Sequence, residues 1–163
     1  MIKSKTFIKA FIVGAIEVNN RMGGEALYDW LWAIGERLGE LEGAGIEGRR
    51  SDDLHYDPIC PLNTQIETAH YFDIIPKEGD SYFMCPIGSG ADRPVCGDIM
   101  CVLHYAYRRK RGNLAGKKVF HLAAKSHLTG DPVFNEDAIK AAGKTKKDIE
   151  ELMQESACIF AYR

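Results

Sequence analysis

Residues 92–124 read DRPVCGDIMCVLHYAYRRKRGNLAGKKVFHLAA, and the passage from helix to strand inside this stretch decides the fold class. Its first part predicts a long helix from about 92 to 111. Val95, Ile99, Met100, Val102, Leu103 and Ala106 supply the apolar positions. Asp92 is placed as N-cap, Pro94 suits the first turn, and Gly112-Asn113 forms a stop. Lys118 to Ala124 then reads as a strand. The basic run Arg108-Arg109-Lys110-Arg111 falls at the expected helix end, where cations complement the helix dipole. That role outweighs a phosphate or nucleic-acid patch.

Working outward, residues 4–20 carry Ile8, Phe11, Ile12, Ala15 and Ile16 at helical spacing. Residues 25–41 repeat the pattern with Leu27, Trp30, Leu31, Ile34, Leu38 and Leu41. Gly35 and Gly39 lie on that second helix, where they permit close helix contact or line a cavity. Residues 42–60 show no period and read as a long loop. Asn63 could cap a short helix, and residues 70–85 look like a hairpin around Pro76 to Asp80. After Ala124, Gly130-Asp131-Pro132 is a turn. Short helices are expected over Glu136–Ala142 and Lys146–Ser156, with Thr145 and Asp148 resembling a capping box. Cys158 to Tyr162 closes the chain as a strand. Helices, hairpin, helix, strand, helices, strand is the order of an α+β fold. It predicts a mainly antiparallel sheet packed against long helices in one domain over 1–163.

Composition narrows the class. The chain has 163 residues, 45% apolar and 27% charged, which is ordinary for a globular protein with a real core. A net charge of −2 gives no electrostatic case for nucleic acid. No apolar run is long enough for a membrane span. The start, MIKSKTFIKAFIVGAIEV, has a basic entry and an apolar run. Lys9 interrupts it, and no small-residue cleavage site follows. The five cysteines are odd in number and irregularly spaced, so a reducing, cytoplasmic setting is expected.

The densest chemistry lies in the middle third. Cys60, Cys85, Cys96 and Cys101 come with His55, His70 and His104, and Cys60 and Cys85 each precede a proline. A Cys-Pro step sets a thiol at a rigid turn, which suits a ligand on a loop. The spacing matches no standard zinc ribbon, which would show paired C-x2-C units. Cys101 and His104 are three apart and share a helix face. With Cys85 and Cys96, either Cys101 or His104 could complete a zinc site. The four cysteines could instead hold an iron–sulfur cluster, or the thiols could pack as small hydrophobes. Cys96, at a helix start, is a candidate nucleophile, and so is Cys85; either could work with His121 and Asp131. No phosphate-binding loop, dinucleotide fingerprint or G-x-S-x-G elbow is present.

Three segments carry a family resemblance. They are Ala26 to Gly39 with its paired glycines, Tyr82-Phe83-Met84-Cys85-Pro86-Ile87 followed by Cys96 and the long helix, and the part after Val119. Together they resemble the hydrocarbon-binding domains of the four-vinyl-reductase type, which are similar to aminothiazoline-carboxylate hydrolase-like proteins. The third segment departs from that pattern. Val119 to Ser126 and Gly130 to Phe134 hold no cysteine, and Cys158 could supply one only if 135–155 is a helical insertion. The resemblance implies a pocket between helices and sheet for a small, largely apolar or aromatic molecule, lined by Trp30, Trp32, Phe72, Tyr82 and Phe83. It implies a sensor, carrier or accessory protein that pairs as a homodimer, with neither nucleic acid nor membrane as partner. The alternative is a small metal- or thiol-dependent hydrolase or reductase using Cys85 or Cys96 and a histidine.

Overall fold

A computed structural model describes residues 14, 21–22, 24–58, 90–95, 99–125 and 130–163. Helix α1 runs Gly24–Glu42, followed by strands β1 (Arg49–Ser51) and β2 (Leu54–Asp57). Helix α2 covers Ile99–Leu114, then β3 (Val119–Lys125), β4 (Pro132–Phe134), α3 (Glu136–Ala141), α4 (Lys146–Met153) and β5 (Cys158–Tyr162). The strands form one sheet in the order β1-β2-β5-β3-β4, and every pairing is antiparallel. The fold is α+β, as the element order predicts. Apart from Gly14, which is helical, the expected helix over 4–20 lies outside the described residues, as do the short helix near Asn63 and the hairpin at 70–85.

Both faces of the sheet are covered, which is why four of the five residues of β5 are buried. Leu54, Phe120, Leu122, Ile159 and Ala161 face α3 and α4, meeting Ala138, Ile139, Ile149 and Met153 in an apolar core. The other face packs on α2 through Val119, Ala124, Cys158 and Phe160, with Cys101 and Tyr105 above them. A register shift between His121 and Ala123 places Leu122 and Ala123 together on the α3–α4 side.

Helix α1 does not touch that core through long side chains alone. Leu27 and Leu31 are fully buried, and one and two turns further on Gly35 and Gly39 continue their line. A Cβ at Gly35 would lie 2.4 Å from the Leu103 carbonyl oxygen, and one at Gly39 would lie 2.7 Å from that of Tyr107. The paired glycines therefore set the distance between α1 and α2.

Several boundaries differ from the sequence expectation; α4, expected to reach Ser156, ends at Met153. The stretch 42–60 contains a hairpin: Ser51 faces Leu54 across a two-residue Asp52-Asp53 turn. Asp52 has φ 55°, a left-handed conformation that aspartate tolerates better than most residues. Residues 92–95 are not helical. The Val95 N–H donates to His121 Nδ1 at 3.3 Å, and the Asn135 amide donates to the carbonyls of Gly90 and Arg93. These tethers hold the segment against β3 and the start of α3, so Asp92 caps no helix there. At its far end α2 passes through Gly112 to Leu114. Gly112 is small because a Cβ would lie 2.2 Å from Val119 Cγ2, and the reversal comes at Gly116, with φ 73°.

Helices α3 and α4 start at the expected residues, Glu136 and Lys146. Asn135 accepts from the Ala138 N–H, and Thr145 with Asp148 forms a reciprocal capping box.

Candidate functional site

The α2 side of the sheet is unlike the α3–α4 side, because polar and aromatic groups fill it. On β5, Phe160 is directly opposite His55 of β2 and His121 of β3 in the strand register. The three residues form one row across the sheet, with Phe160 in the middle. His121 is completely buried and stacks on Phe160 with ring centroids 4.4 Å apart and planes 9° from parallel. His55 is half-buried and meets Tyr162 edge-on at 4.9 Å.

Helix α2 presses two polar residues onto this row, His104 and Arg108, four apart and therefore on one face. His104 meets Phe160 edge-on at 5.6 Å. The Arg108 guanidinium lies 4.2 Å from the centre of the Phe160 ring. Arg108 is buried, at 1% exposure, and its charge is balanced by Asp57 at 2.8 Å and Glu47 at 3.6 Å. The pairing follows from alternation in β2: Leu54 and Tyr56 meet the α3–α4 core, so His55 and Asp57 are turned to α2.

The whole basic run is neutralised within the fold. Arg109 pairs with Glu36, Lys110 with Glu40, and Arg111 with Glu42 and Glu47. The Tyr107 hydroxyl joins them, 2.5 Å from Glu42 and 2.7 Å from Glu47, and burial raises its pKa. The run therefore ties α1 and the 43–48 segment to α2, which is a larger role than helix-end capping.

Burial controls the ionisation of the histidines in the row. It holds His121 at about 3, well below an ordinary imidazole, and the Arg108 charge pushes the same way. A backbone contact to Ala123 opposes this weakly. Burial, then Arg108 and Arg50, also lowers His55. Neutral His121 accepts from Val95 at Nδ1, so its proton sits on Nε2. Among the described residues, no well-formed hydrogen bond reaches His121 Nε2, His55 Nδ1 or the Tyr162 hydroxyl. The Glu47–Gly48 backbone lies beside the last two.

An aromatic path leads outward from the row. Tyr105 stacks on His121 at 5.9 Å, Trp32 meets Tyr105 edge-on at 5.6 Å, and Tyr28 stacks on Trp32 at 5.7 Å. Arg109 lies 5.4 Å from the Trp32 ring. The Tyr105 hydroxyl donates to the Val119 carbonyl at 3.1 Å, and burial raises its pKa.

These positions sort the residues singled out from sequence. Trp32 lies beside Tyr105, whereas Trp30, 39% exposed, is about 200° further round α1 on another side. Cys101 and His104 are both buried on the sheet-facing side of α2. His121 belongs to the row. Cys60, Cys85, Cys96, Phe72, Tyr82 and Phe83 lie outside the described residues, which leaves Cys101 of the four thiols and Trp30 and Trp32 of the five aromatics to place. Among the described residues no three His, Cys, Asp or Glu side chains are grouped to hold a metal. His55 and His121 are two strand spacings apart, roughly 10 Å, with Phe160 between them. They cannot ligate one zinc ion, whose ligands lie about 2 Å away. Sequence reasoning named His55 only as an imidazole beside the cysteine set, and passed over Asp57, Tyr105, Phe160 and Tyr162. The signal available was polar residues at alternate positions of short strands.

An open-sided cleft of about 460 Å³ lies elsewhere, between the β1–β2 turn and α4. Asp52, Asp53, Lys144, Asp148, Glu151 and Glu155 line it, so its character is polar. Among the described residues, no helix is long and apolar enough to cross a membrane. No family model, curated protein or solved structure matches this chain.

Proposed function

We propose that the chain binds a small, largely apolar or aromatic molecule between helix α2 and the sheet, acting as a sensor, carrier or accessory protein. One observation carries this reading. The layer between α2 and the sheet is built from rings, Trp32, Tyr105, His121 and Phe160, in consecutive contact at 4.4–5.9 Å. Buried polar atoms at its inner end lack well-formed hydrogen bonds. Ligand sites combine an apolar lining with a few placed polar groups of this kind. Burying polar atoms in such loose contacts has a cost, which a ligand with a matching polar group offsets. Exposed Met22, Leu38 and Leu41 near and along α1 support pairing of two copies as part of the same proposal.

The test uses a Trp30→Phe variant, which leaves Trp32 as the sole tryptophan. Naphthalene and toluene are titrated while Trp32 fluorescence is followed. A saturable change, abolished by Phe160→Ala in a still-folded protein, supports the reading. A linear response, or one indifferent to Phe160, contradicts it.

A further inference from the structure

The two faces of the sheet differ in their ionisable groups. The α3–α4 face is an apolar core whose buried members carry no ionisable side chain. The α2 face holds His55, His104 and His121 around a permanent cation, Arg108. We propose that this layer is an acid-responsive seam: protonation of His121 and His55 beside Arg108 detaches α2 from the sheet and releases the bound molecule, while the α3–α4 layer stays closed. Only the release step rests on the proposed function. The opening stands on the fold itself.

The geometry supplies the force. His121 stacks on one side of Phe160 in the row, His55 pairs with it on the other, and Arg108 lies over the ring at 4.2 Å. A proton on either imidazole adds a second buried cation, and buried charge is tolerated only where it is paired. The groups facing this layer come from each described element packed on it, beginning with Arg50 of β1, Tyr28 of α1 and Arg109 of α2. Cys101, His104, Tyr105 and Arg108 come from α2, Asp57 from β2, Cys158 and Tyr162 from β5, Glu47 from the 43–48 segment, and Asp92 and Arg93 from 90–95. Asp57 and Glu47 are the carboxylates nearest the row, and both already pair with Arg108. A new cation at His121 therefore has no uncommitted counterion among the described residues. Opening α2 gives the protonated imidazoles water.

The direction follows from linkage. A histidine that is neutral when buried binds more protons in the open state, so acid favours opening. Each such histidine changes the opening equilibrium by up to tenfold per pH unit below its ordinary value, until the closed state also takes up the proton.

Amide hydrogen exchange on the whole chain, corrected for intrinsic exchange, tests this between pH 7 and 4.5. Protection in α2 and in β5 is expected to fall about tenfold or more per unit below pH 6.5, while α3 and α4 change less. His121→Phe is expected to flatten the α2 response. Should that variant not fold, an imidazole NMR titration of the wild-type chain replaces it, and His121 must take up its proton together with the loss of α2 protection. Equal protection at both pH values overturns the proposal, and so does simultaneous loss in α2, α3 and α4. Bound naphthalene, followed in parallel, is expected to leave as α2 opens. If α2 opens but naphthalene never bound at pH 7, the proposed function fails and the seam remains. If naphthalene stays bound while α2 opens, the release step fails.

Discussion

His55 and His121 stand on opposite sides of Phe160 in a single row across β2, β5 and β3. This relationship organises the α2 side of the sheet. The middle strand supplies the ring, its neighbours supply imidazoles, and α2 supplies the cation above. A sheet face of that composition is costly to bury unless its charges are paired. The Arg108–Asp57 contact supplies that pairing.

Removing Arg108 is therefore predicted to be severe. Arg108→Met keeps the side-chain volume but leaves the Asp57 carboxylate buried beside an apolar group. Breaking one partner of a buried pair costs about 3–5 kcal/mol. Urea unfolding should show a loss of that order. A loss under about 1 kcal/mol would contradict the account of this layer.

Gly35→Ala tests the helix–helix distance. The added methyl meets the Leu103 carbonyl at 2.4 Å and Ala106 Cβ at 2.8 Å, both on α2. An ordinary helix interior gains up to about 1 kcal/mol from this change. Here overpacking is expected to reverse the sign and cost roughly 1–3 kcal/mol. A stabilised variant in thermal unfolding would show that α1 and α2 are further apart than described.

Asn135→Ala removes the cap of α3 and two tethers to residues 90–95 at once. The expected loss is about 1–3 kcal/mol. It should also raise hydrogen exchange at Val95, whose N–H is held by His121. An effect confined to α3 would separate the cap from the tethers.

Global stability should follow the same proton linkage as the seam. His121 binds its proton less readily in the folded chain, at about 3 against 6.5 when unperturbed. Its contribution is complete above about pH 6.5 and is lost as pH falls through that window toward 3. Denaturation midpoints at pH 7 and 4.5 should differ in wild-type protein and converge in His121→Phe. Equal midpoints in the wild type would mean that His121 keeps an ordinary proton affinity.

Much of the architecture was legible in the residues. The α1 helix, the Thr145–Asp148 capping box, the closing strand Cys158–Tyr162 and the α+β order all follow from short-range patterns, whereas the expected α1 stripe is only partly the buried one, since Trp30, Leu38 and Leu41 are exposed. The hairpin at 49–57 was hidden because its strands are three and four residues long, below the length at which alternation separates from chance. Its Asp52-Asp53 turn was the clue. The start of α2 was misplaced because Val95 and Asn135 act through contacts 26 or more residues away, which no local cap reveals. Arg108 was read with its neighbours as a helix-end cation, since its partners, Asp57 and Glu47, come from a hairpin the pattern did not show. The cysteine set at 60, 85 and 96 lies outside the described residues and keeps its zinc and iron–sulfur alternatives.

The most direct measurement is NMR mapping of a bound aromatic probe on isotope-labelled protein at pH 7. The account predicts that naphthalene perturbs Trp32, Tyr105, His121 and Phe160 together, with intermolecular contacts to their rings. Perturbation confined to the polar cleft at Asp53, Lys144 and Glu151, or none at saturating probe, would contradict it.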